Sequence, residues 1–378
     1  MHDRIVQTLE TTLAAAGIPG AVAMVGNRDG ALAQVAVGSK GPGGPALAVD
    51  DLFQIASMTK ALASVAAMQL VEQGKLNLHE DIGAVLPELA NSHVLEGFDE
   101  AGKPVTRPAA GPITLHQLLT HTSGLGYEFM SAELTQWRQH NPAAPGTRAS
   151  LAMPLLADPG TAWIYGVSSD WAGQAVERAS GSTLGAYLAG HVCGPLGMTD
   201  TTFAFDDAIK ARLVPLHARM PDGSLMPFPV HFGGGEKAEF HSGGGGLIGT
   251  AADYLLFCRM MLNNGGGVLK PETVAAMATN QVTMPAGRMV SNLPGLTSDF
   301  DLFPGMDCGF GLGFLINPEQ GPDGRAAGSL AWAGIANSYY WIDRESDIAA
   351  VLMMQHLPFG EPGALSVLRA FERAVYGA

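Results

Sequence analysis

The chain of 378 residues is long enough to bury a large hydrophobic core and to form two or three domains or one elaborated fold. Its formal net charge is −14, and its basic residues are scattered singly, which argues against a nucleic-acid partner. No run of 18 apolar residues occurs, so we expect no membrane span.

The cysteines and the first residues bear on the cellular compartment. Cys193, Cys258 and Cys308 are odd in number and widely spaced, and none belongs to a Cys-x-x-Cys pair. This pattern argues against a disulfide framework or a structural zinc site and predicts reduced, buried thiols. The first twenty residues lack the cleavable apolar stretch of a signal peptide, so we expect a cytoplasmic protein.

Helices and strands are predicted at both ends of the chain. Ile5, Leu9 and Leu13 recur at helical spacing until GIPG ends the segment. GAVAMVG and ALAQVAVG flank the turn NRDG and predict an antiparallel hairpin. Near the other end, SYYWI and IAAVLMMQ predict two further strands, and ALSVLRAFERAVYG predicts a closing helix.

The middle of the chain is rich in proline and loops, with helical stretches such as TLHQLLTH, WAGQAVERASG and LGAYLAGHV. A glycine-rich run at 233–249 then leads into another helix, TAADYLLFCRMMLNNGGG. Strands at both ends around a mainly helical middle predict an α+β fold in which the two ends share one antiparallel sheet. The predicted domains are 1–85 with 235–378, which hold the sheet, and 86–234, a mainly helical insertion, with the functional site between them.

Ser57 lies three residues before Lys60 in QIASMTKALASVAAMQL, at the predicted start of an amphipathic helix. Serine is favoured as a helix N-cap, so one interpretation is a simple cap. Residues i and i+3 share a helix face, which brings the Lys60 amine within reach of the Ser57 hydroxyl, and burial disfavours the charged ammonium. The pair can therefore also be a nucleophile with its base, and the tetrapeptide alone leaves both interpretations open.

Two later stretches are also candidates for a functional site. In WIYGVSSDWAGQ, Tyr165 precedes a helix whose start is signalled by Ser168, Ser169 and Asp170, although a single tyrosine is most often a core residue. In GSLAWAGIANSYYWID, small residues around Trp332 allow a ligand to approach the backbone just before a strand. A packed sheet edge has the same composition.

Together and in this order, SMTK, YGV and WAG resemble the motifs of the serine β-lactamase and penicillin-binding-protein superfamily. More narrowly, they resemble those of the class C β-lactamase-like family VIII carboxylesterases. The resemblance covers roughly residues 15–360 and includes LLTHTSGLGY, PLLADPGTAWIYG, GPLGMTDTTF and GGGGLIGTAADYLLFCRMML. It implies the β-lactamase/transpeptidase-like fold, an antiparallel sheet flanked by helices with a mainly helical second domain.

The resemblance also implies a role for each motif residue. Ser57 matches the acylated nucleophile, and Lys60 matches its base or proton relay. Tyr165 matches the tyrosine that moves protons to the leaving group and to the deacylating water. The backbone N–H groups of Ser57 and Ile335 would form the oxyanion hole. The resemblance does not decide whether Lys60 or Tyr165 is the general base, so we assign that role to the pair.

The motifs depart from the lactamase pattern in ways that bear on the substrate. Trp332, Ala333 and Gly334 stand where lactamases carry Lys-Thr/Ser-Gly, so a substrate carboxylate would lack its partner. Val167 replaces the asparagine of Tyr-x-Asn, which removes an amide that would hold the substrate's amide side chain. Both changes favour neutral, fairly apolar small-molecule esters, with Trp332 as an apolar wall. We assign these four residues and Tyr127 to the substrate pocket.

Three other signals are set aside. GGGLIG at 244–249 satisfies Gly-x-Gly-x-x-Gly but has no acidic partner at the expected distance, so no dinucleotide cofactor is predicted. His121 lies beside Ser123 in HTSGLG, yet the chain has no Gly-x-Ser-x-Gly elbow, and we interpret His121 as structural. No His, Asp or Glu cluster has metal-ligand spacing, so we expect neither a metal nor another cofactor.

The sequence thus predicts a serine carboxylesterase that hydrolyses short to medium acyl esters through an acyl-enzyme on Ser57. Transfer of the acyl group to an alcohol or amine is expected as a side activity, because an apolar pocket admits an organic nucleophile while limiting water. Within the enzymes, the alternative is a β-lactamase or a peptidase for D-amino-acid substrates. Outside them, the alternative is a non-catalytic penicillin-binding-like module.

Overall fold

The computed structural model describes residues 1–233 and 238–377 of the chain. The α-helices are α1 (His2–Ala16), α2 (Thr59–Glu72), α3 (Leu115–Thr120), α4 (Ala132–His140), α5 (Ser168–Ser180), α6 (Leu184–Leu188), α7 (Gly194–Leu196), α8 (Asp207–Arg212), α9 (Ala251–Leu262), α10 (Pro271–Met277) and α11 (Pro362–Tyr376). The strands are β1 (Gly20–Gly26), β2 (Ala31–Gly38), β3 (Phe53–Gln54), β4 (His93–Phe98), β5 (Pro104–Pro108), β6 (His217–Arg219), β7 (Leu225–Pro227), β8 (Ile248–Gly249), β9 (Gly309–Phe310), β10 (Leu315–Ile316), β11 (Leu330–Gly334), β12 (Ser338–Asp343), β13 (Ile348–Met353) and β14 (His356–Leu357). Within these described ranges, no helix has both the length and the apolar character needed to cross a bilayer.

Seven strands form the central sheet in the order β2-β1-β13-β12-β11-β10-β9, with each neighbouring pair antiparallel. Strands from opposite ends of the chain meet in it, because β1 pairs with β13 from Val22–Met353 to Gly26–Ala349. This pairing confirms that the first and last segments share one sheet. The β1–β2 and β12–β13 hairpins also form where the apolar stretches predicted them.

Helices cover the sheet and bury its strands. Helix α1 packs against β2 and α11, and α9 packs against β1, β12 and β13. Ile5, Leu9 and Leu13 are the buried residues of α1, and Gly17 ends the helix with φ 60°, the left-handed conformation that glycine adopts at low cost. Strand β1 is buried at every residue, as expected for a strand with both faces covered.

Helix α2 differs from its prediction in two ways. It begins at Thr59, and Ser57 lies before it in a 3₁₀ turn, Ala56–Met58. Met58 is the N-cap and no side chain caps the helix, so the interpretation of Ser57 as an N-cap is wrong. The helix is also not amphipathic, because every residue from Thr59 to Leu70 is buried. A helix buried all round belongs to the interior, where it packs against α5 and α6.

The middle of the chain contains the predicted short helices and two hairpins that were not predicted. Strands β4 and β5 form one, and β6 and β7 form the other, with β6 also parallel to β14. These strands are short and mostly half-buried or exposed, and β5 begins and ends with proline, so they carry little of the usual strand pattern. The predicted division at 85 stays a prediction, and the one at 234/235 lies outside the described residues.

The three cysteines are unpaired and buried, as the sequence predicted. Burial raises the pKa of Cys193 to about 12 and that of Cys308 to about 12, and it raises the pKa of Cys258 well above the ordinary value. Each thiol therefore stays protonated at neutral pH and behaves as a small apolar group.

The end of β11 lies against the turn that carries Ser57. The WAG segment is part of this strand rather than a stretch before a strand. A methyl group on Gly334 would lie 2.5 Å from the carbonyl oxygen of Ile55 and 3.5 Å from Cβ of Ala56. Ala56 has φ 45°, a left-handed conformation that costs a non-glycine residue about 1–3 kcal/mol. This close approach of two backbones fixes the position of the Ser57 turn relative to the sheet.

We expect Gly334→Ala to destabilise the protein by about 1–3 kcal/mol, because the added methyl group meets a backbone carbonyl that cannot move aside. Thermal unfolding followed by circular dichroism measures the change. Gly111→Ala is the matched control, since nothing lies within 4 Å of a Cβ built there. Equal unfolding midpoints for the two variants would contradict the packing of β11 against the turn.

Candidate active site

Ser57 and Lys60 lie side by side where the 3₁₀ turn meets α2. Lys60 Nζ donates a hydrogen bond to Ser57 Oγ at 3.1 Å, and Lys60 is only 2% exposed. The i and i+3 spacing brings the two side chains together as predicted, although through a 3₁₀ turn and not through the helix itself. The two atoms are close enough for direct proton transfer.

Two further oxygens contact the Lys60 amine. Nζ donates to the Tyr127 hydroxyl at 2.9 Å and to the carbonyl oxygen of Gly244 at 2.6 Å. An ammonium group has three N–H donors, and these two oxygens with Ser57 Oγ provide one acceptor for each. The amine also lies 4.7 Å from the centre of the Tyr165 ring, within cation–π range. The site can therefore hold a positive charge on Lys60 without exposing it to water.

Tyr165 lies in the loop just before α5 and is 8% exposed. Its hydroxyl accepts a hydrogen bond from Trp332 Nε1 at 3.2 Å, and the two rings are 5.0 Å apart. Trp332 thus binds the tyrosine through its indole N–H in addition to providing the predicted apolar wall. An N–H donor aimed at a phenol oxygen stabilises negative charge on that oxygen.

Tyr127 was assigned to the substrate pocket, and its hydroxyl contacts Lys60 in the structure. Its ring stacks on Phe129 at 4.8 Å and meets the Tyr165 ring edge-on at 5.3 Å. Burial of the hydroxyl raises the pKa of Tyr127 well above its ordinary value, and the nearby Asp170 and Tyr165 raise it further. Tyr127 is therefore a neutral phenol that can donate a proton. Apart from its place in LLTHTSGLGY, no sequence signal links it to Lys60.

His121 packs against the other side of Tyr165, with ring centres 4.9 Å apart. Its Nδ1 is buried and has no hydrogen-bond partner in the described part of the chain. Burial lowers the pKa of His121 well below its ordinary value, and the charge of Lys60 acts in the same direction. His121 is thus a neutral ring packed among the aromatic side chains of Trp163 and Phe310. Its structural role stays a prediction.

Two residues that the sequence did not mark as functional complete the surroundings of Lys60. Asp170 is 4% exposed, and its carboxylate accepts from Ser242 Oγ at 2.5 Å and from the Gly244 N–H at 3.1 Å. Asp170 had been noted only as a helix-start signal, and Gly244 only as part of a glycine run. Lys60 and Gly244 are 184 positions apart, so no local pattern could reveal their contact.

The glycine run that satisfies Gly-x-Gly-x-x-Gly is packed against protein atoms. A methyl group would lie 2.5 Å from the Ser169 carbonyl oxygen if built on Gly243, and 2.3 Å from Asp170 Oδ2 if built on Gly244. Close packing against α5 therefore accounts for Gly244, the first glycine of the motif, and for Gly243 before it. In residues 1–233 and 238–377, no group of three or more His, Cys, Asp or Glu side chains is placed to hold a metal ion.

A small, largely apolar pocket opens beside Ser57. Its lining residues are Ser57, Phe129, Met130, Tyr165, Met289, Phe300, Trp332, Ala333, Ile335 and Phe359. Met289 and Phe300 contribute one wall of the pocket. They lie at the two ends of the segment 289–300 and exchange backbone hydrogen bonds, which hold these ends together. Asn292 in this segment also donates its N–H to the Phe129 carbonyl oxygen at 3.0 Å. The pocket thus combines the Ser57 turn, the end of β11 and two loops.

A second, larger pocket is also lined by Phe129. Tyr127, Val167, Asp170 and Ser242 line it together with Phe240 and parts of the 143–153 loop. The five residues assigned to substrate are therefore divided: Trp332 and Ala333 line the first pocket, Tyr127 and Val167 line the second, and Gly334 packs on the Ser57 turn.

A Ser-x-x-Lys pair held between an interior helix and the end of an antiparallel sheet is the arrangement of the β-lactamase/transpeptidase fold. The predicted α+β fold class is confirmed. The family model described as Beta-lactamase matches residues 5–373, so the chain belongs to the β-lactamase family of serine hydrolases.

Several relatives transfer or hydrolyse acyl groups. The chain is 35% identical over 352 residues to monacolin J acid methylbutanoyltransferase of Aspergillus terreus, covering 88% of this chain and 83% of the relative. It is 35% identical over 323 residues to lovastatin esterase of Penicillium rubens, covering 81% and 80%. A solved structure of simvastatin synthase from Aspergillus terreus, the LovD6 mutant, matches with a TM-score of 0.87 at 32% identity, covering 99% of this chain and 96% of that one. The homologues of the chain thus include acyltransferases and an esterase of the β-lactamase fold.

Proposed function

We propose that the protein is a serine hydrolase that forms an acyl-enzyme on Ser57 and passes the acyl group to water, an alcohol or an amine. The observation that carries the proposal is the 3.1 Å contact between the buried Lys60 amine and Ser57 Oγ, beside an apolar pocket. Serine is a weak nucleophile until a neighbouring base takes its proton. The methylbutanoyltransferase and esterase activities named for the relatives support the proposal.

In the first half of the proposed reaction, Ser57 Oγ attacks the ester carbonyl and its proton passes to the Lys60 and Tyr165 pair. The hydrogen bond from Trp332 Nε1 holds the Tyr165 hydroxyl in place, and we assign the base role to Lys60 and Tyr165 jointly. Burial raises the pKa of Tyr127 and keeps its hydroxyl protonated, and the hydroxyl contacts Lys60, so we assign to Tyr127 the delivery of a proton to the departing alcohol. In the second half, the acceptor attacks the acyl-enzyme, its proton returns through the same groups, and Ser57 is released.

The negative charge that develops on the carbonyl oxygen needs donors fixed in advance. We assign this oxyanion hole to the backbone N–H groups of Ser57 and Ile335, as the sequence resemblance implied. Both residues line the first pocket, and the close packing of Gly334 on Ile55 holds β11 beside the Ser57 turn. Donors on two tightly packed backbones need little reorganisation during the reaction.

The pockets support neutral esters with a short to medium apolar acyl group, of the kind that family VIII carboxylesterases hydrolyse. The first pocket presents aromatic and methionine side chains around Ser57, and Trp332 and Ala333 add neither charge nor hydroxyl. We assign the acyl group to this pocket. The larger second pocket, beside Tyr127 and Val167, is assigned to the alcohol part of the ester or to the acyl acceptor.

Ser57→Ala should abolish hydrolysis of p-nitrophenyl butyrate and the stoichiometric mass increase with a fluorophosphonate, because the nucleophile is gone. Ser64→Ala is the matched control: Ser64 is a buried serine in α2, just beyond the Ser57 turn, and its variant should keep both properties. Intact-mass spectrometry and initial rates measure the outcome. An adduct on the Ser57→Ala protein would contradict the nucleophile assignment, and no adduct on the wild-type protein would favour the non-catalytic binding module.

Tyr165→Phe should lower kcat for p-nitrophenyl butyrate on the order of 10²-fold, because the general base pair loses a hydroxyl. Tyr127→Phe should change this rate little, since p-nitrophenolate departs without a proton. It should lower kcat for ethyl butyrate on the order of 10-fold or more, because an alkoxide needs one. Equal losses on both esters would contradict the acid role of Tyr127. An unchanged rate for Tyr165→Phe across the pH range would remove Tyr165 from the mechanism.

The protein should prefer p-nitrophenyl butyrate to benzylpenicillin by a factor on the order of 10³ in kcat/KM, because none of the described residues that line the first pocket carries a positive charge for the penicillin carboxylate. A matched pair of esters isolates this effect: mono-p-nitrophenyl succinate has the same acyl length as the butyrate ester but carries a charge. Its kcat/KM should also be lower. A preference for benzylpenicillin or for the charged ester would support the β-lactamase or peptidase alternative.

A further inference from the structure

A second buried charge lies close to the Ser57 and Lys60 pair. Asp170, in the first turn of α5, is 4% exposed, and Lys60 in α2 is 2% exposed. Burying an ionised carboxylate is costly unless hydrogen bonds and an opposite charge compensate it. Asp170 has both forms of compensation, because two donors contact its carboxylate and the charge of Lys60 acts on it.

A single residue connects the two charges. The N–H of Gly244 donates to Asp170 Oδ1 at 3.1 Å, and the carbonyl oxygen of Gly244 accepts from Lys60 Nζ at 2.6 Å. The carboxylate lies so close to Gly244 that a methyl group there would be 2.3 Å from Asp170 Oδ2. Ser242 Oγ donates to the same carboxylate oxygen at 2.5 Å and holds it in place. The position of the Gly244 carbonyl, and with it one of the three acceptors of Lys60, is therefore set by Asp170.

Other titratable groups face Lys60 from the elements packed around it. His121 and Tyr127 lie on the segment that follows the end of α3, and Tyr165 lies just before α5. Burial keeps Tyr127 and His121 neutral, since it raises the pKa of the phenol and lowers that of the imidazole. Burial also raises the pKa of Asp170, while Lys60 and the hydrogen bonds from Ser242 and Gly244 oppose this rise. Among these groups, Asp170 is the one whose negative charge can balance the positive charge of Lys60.

We propose that Asp170 is a positioning residue that holds the Lys60 amine against Ser57 through Gly244, and that its negative charge influences proton transfer at the site. The proposal rests on the proposed function of Ser57 and Lys60. Asp170 also lines the second pocket, but the role proposed here is exerted through the orientation and charge of Lys60.

Asp170→Asn tests the proposal, because asparagine keeps an oxygen that accepts from Ser242 and Gly244 but carries no charge. Loss of the negative charge makes deprotonation of neighbouring groups easier, since Asp170 helps to raise the pKa of Tyr127, so the whole profile of kcat/KM against pH should move to lower pH by about one unit. We also expect kcat for p-nitrophenyl butyrate to fall about 10-fold or more, with KM changed less than about twofold, since the pockets stay intact.

Ser242→Ala is the second variant, which removes one hydrogen bond from the carboxylate and leaves its charge. It should lower kcat by a smaller factor, about twofold to fivefold, by loosening Asp170. If Asp170→Asn does not fold, a rate for Ser242→Ala equal to the wild-type rate overturns the proposal.

Asp253→Asn is the matched control for burial. Asp253 is 5% exposed and likewise accepts two hydrogen bonds, from the Asp200 N–H and the Thr201 hydroxyl, but it has no contact with Lys60. Asp253→Asn should leave the pH profile in place. A profile of Asp170→Asn that coincides with the wild-type profile overturns the positioning role, whatever its thermal midpoint. A wild-type protein without a Ser57 acyl adduct instead overturns the proposed function, so the two failures are distinguishable.

Discussion

The buried amine of Lys60 is the group on which the arrangement of this site depends. Its three acceptors come from three separate parts of the chain: the Ser57 turn, the loop that carries Tyr127, and the glycine run at Gly244. Each acceptor also satisfies the amine in an interior that offers it no water, so a change in any one leaves a buried donor without a partner. The site and the stability of the surrounding fold are therefore coupled through this one nitrogen atom.

The architecture explains how this nitrogen atom is kept in place. Helix α2 is buried along its length and packs on α5, which carries Asp170, while the Ser57 turn at its start packs on the end of β11. The central sheet that holds β11 is closed by strands from both ends of the chain. Assembly of the site thus requires contacts between segments that are far apart in sequence, and it is complete only when the whole fold is formed.

The sequence predicted the elements whose signal is local. Helix α1, the β1–β2 and β12–β13 hairpins and the shared sheet followed from apolar spacing, and the β-lactamase family followed from SMTK, YGV and WAG taken together. The start of α2 at Thr59 was missed because serine is a residue type that often caps helices. In the structure, Ser57 instead lies in a 3₁₀ turn that packs against the end of β11. The contacts of Asp170 and of Trp332 with their partners were missed because they join distant segments. The roles of Ser57, Lys60 and Tyr165 and the cytoplasmic location stay predictions.

Phe129 forms a shared wall between the two pockets, and its backbone is tied to the 289–300 segment through Asn292. A substitution of Phe129 therefore changes the shape of both pockets at once. Under the proposed assignment, a substitution that widens the acyl side through Phe129 also alters the acceptor side, so the two selectivities form a linked trait. Substitutions at Phe129 would then change the preferences for acyl donor and acyl acceptor together. Substitutions at residues that line only one pocket would change one preference alone.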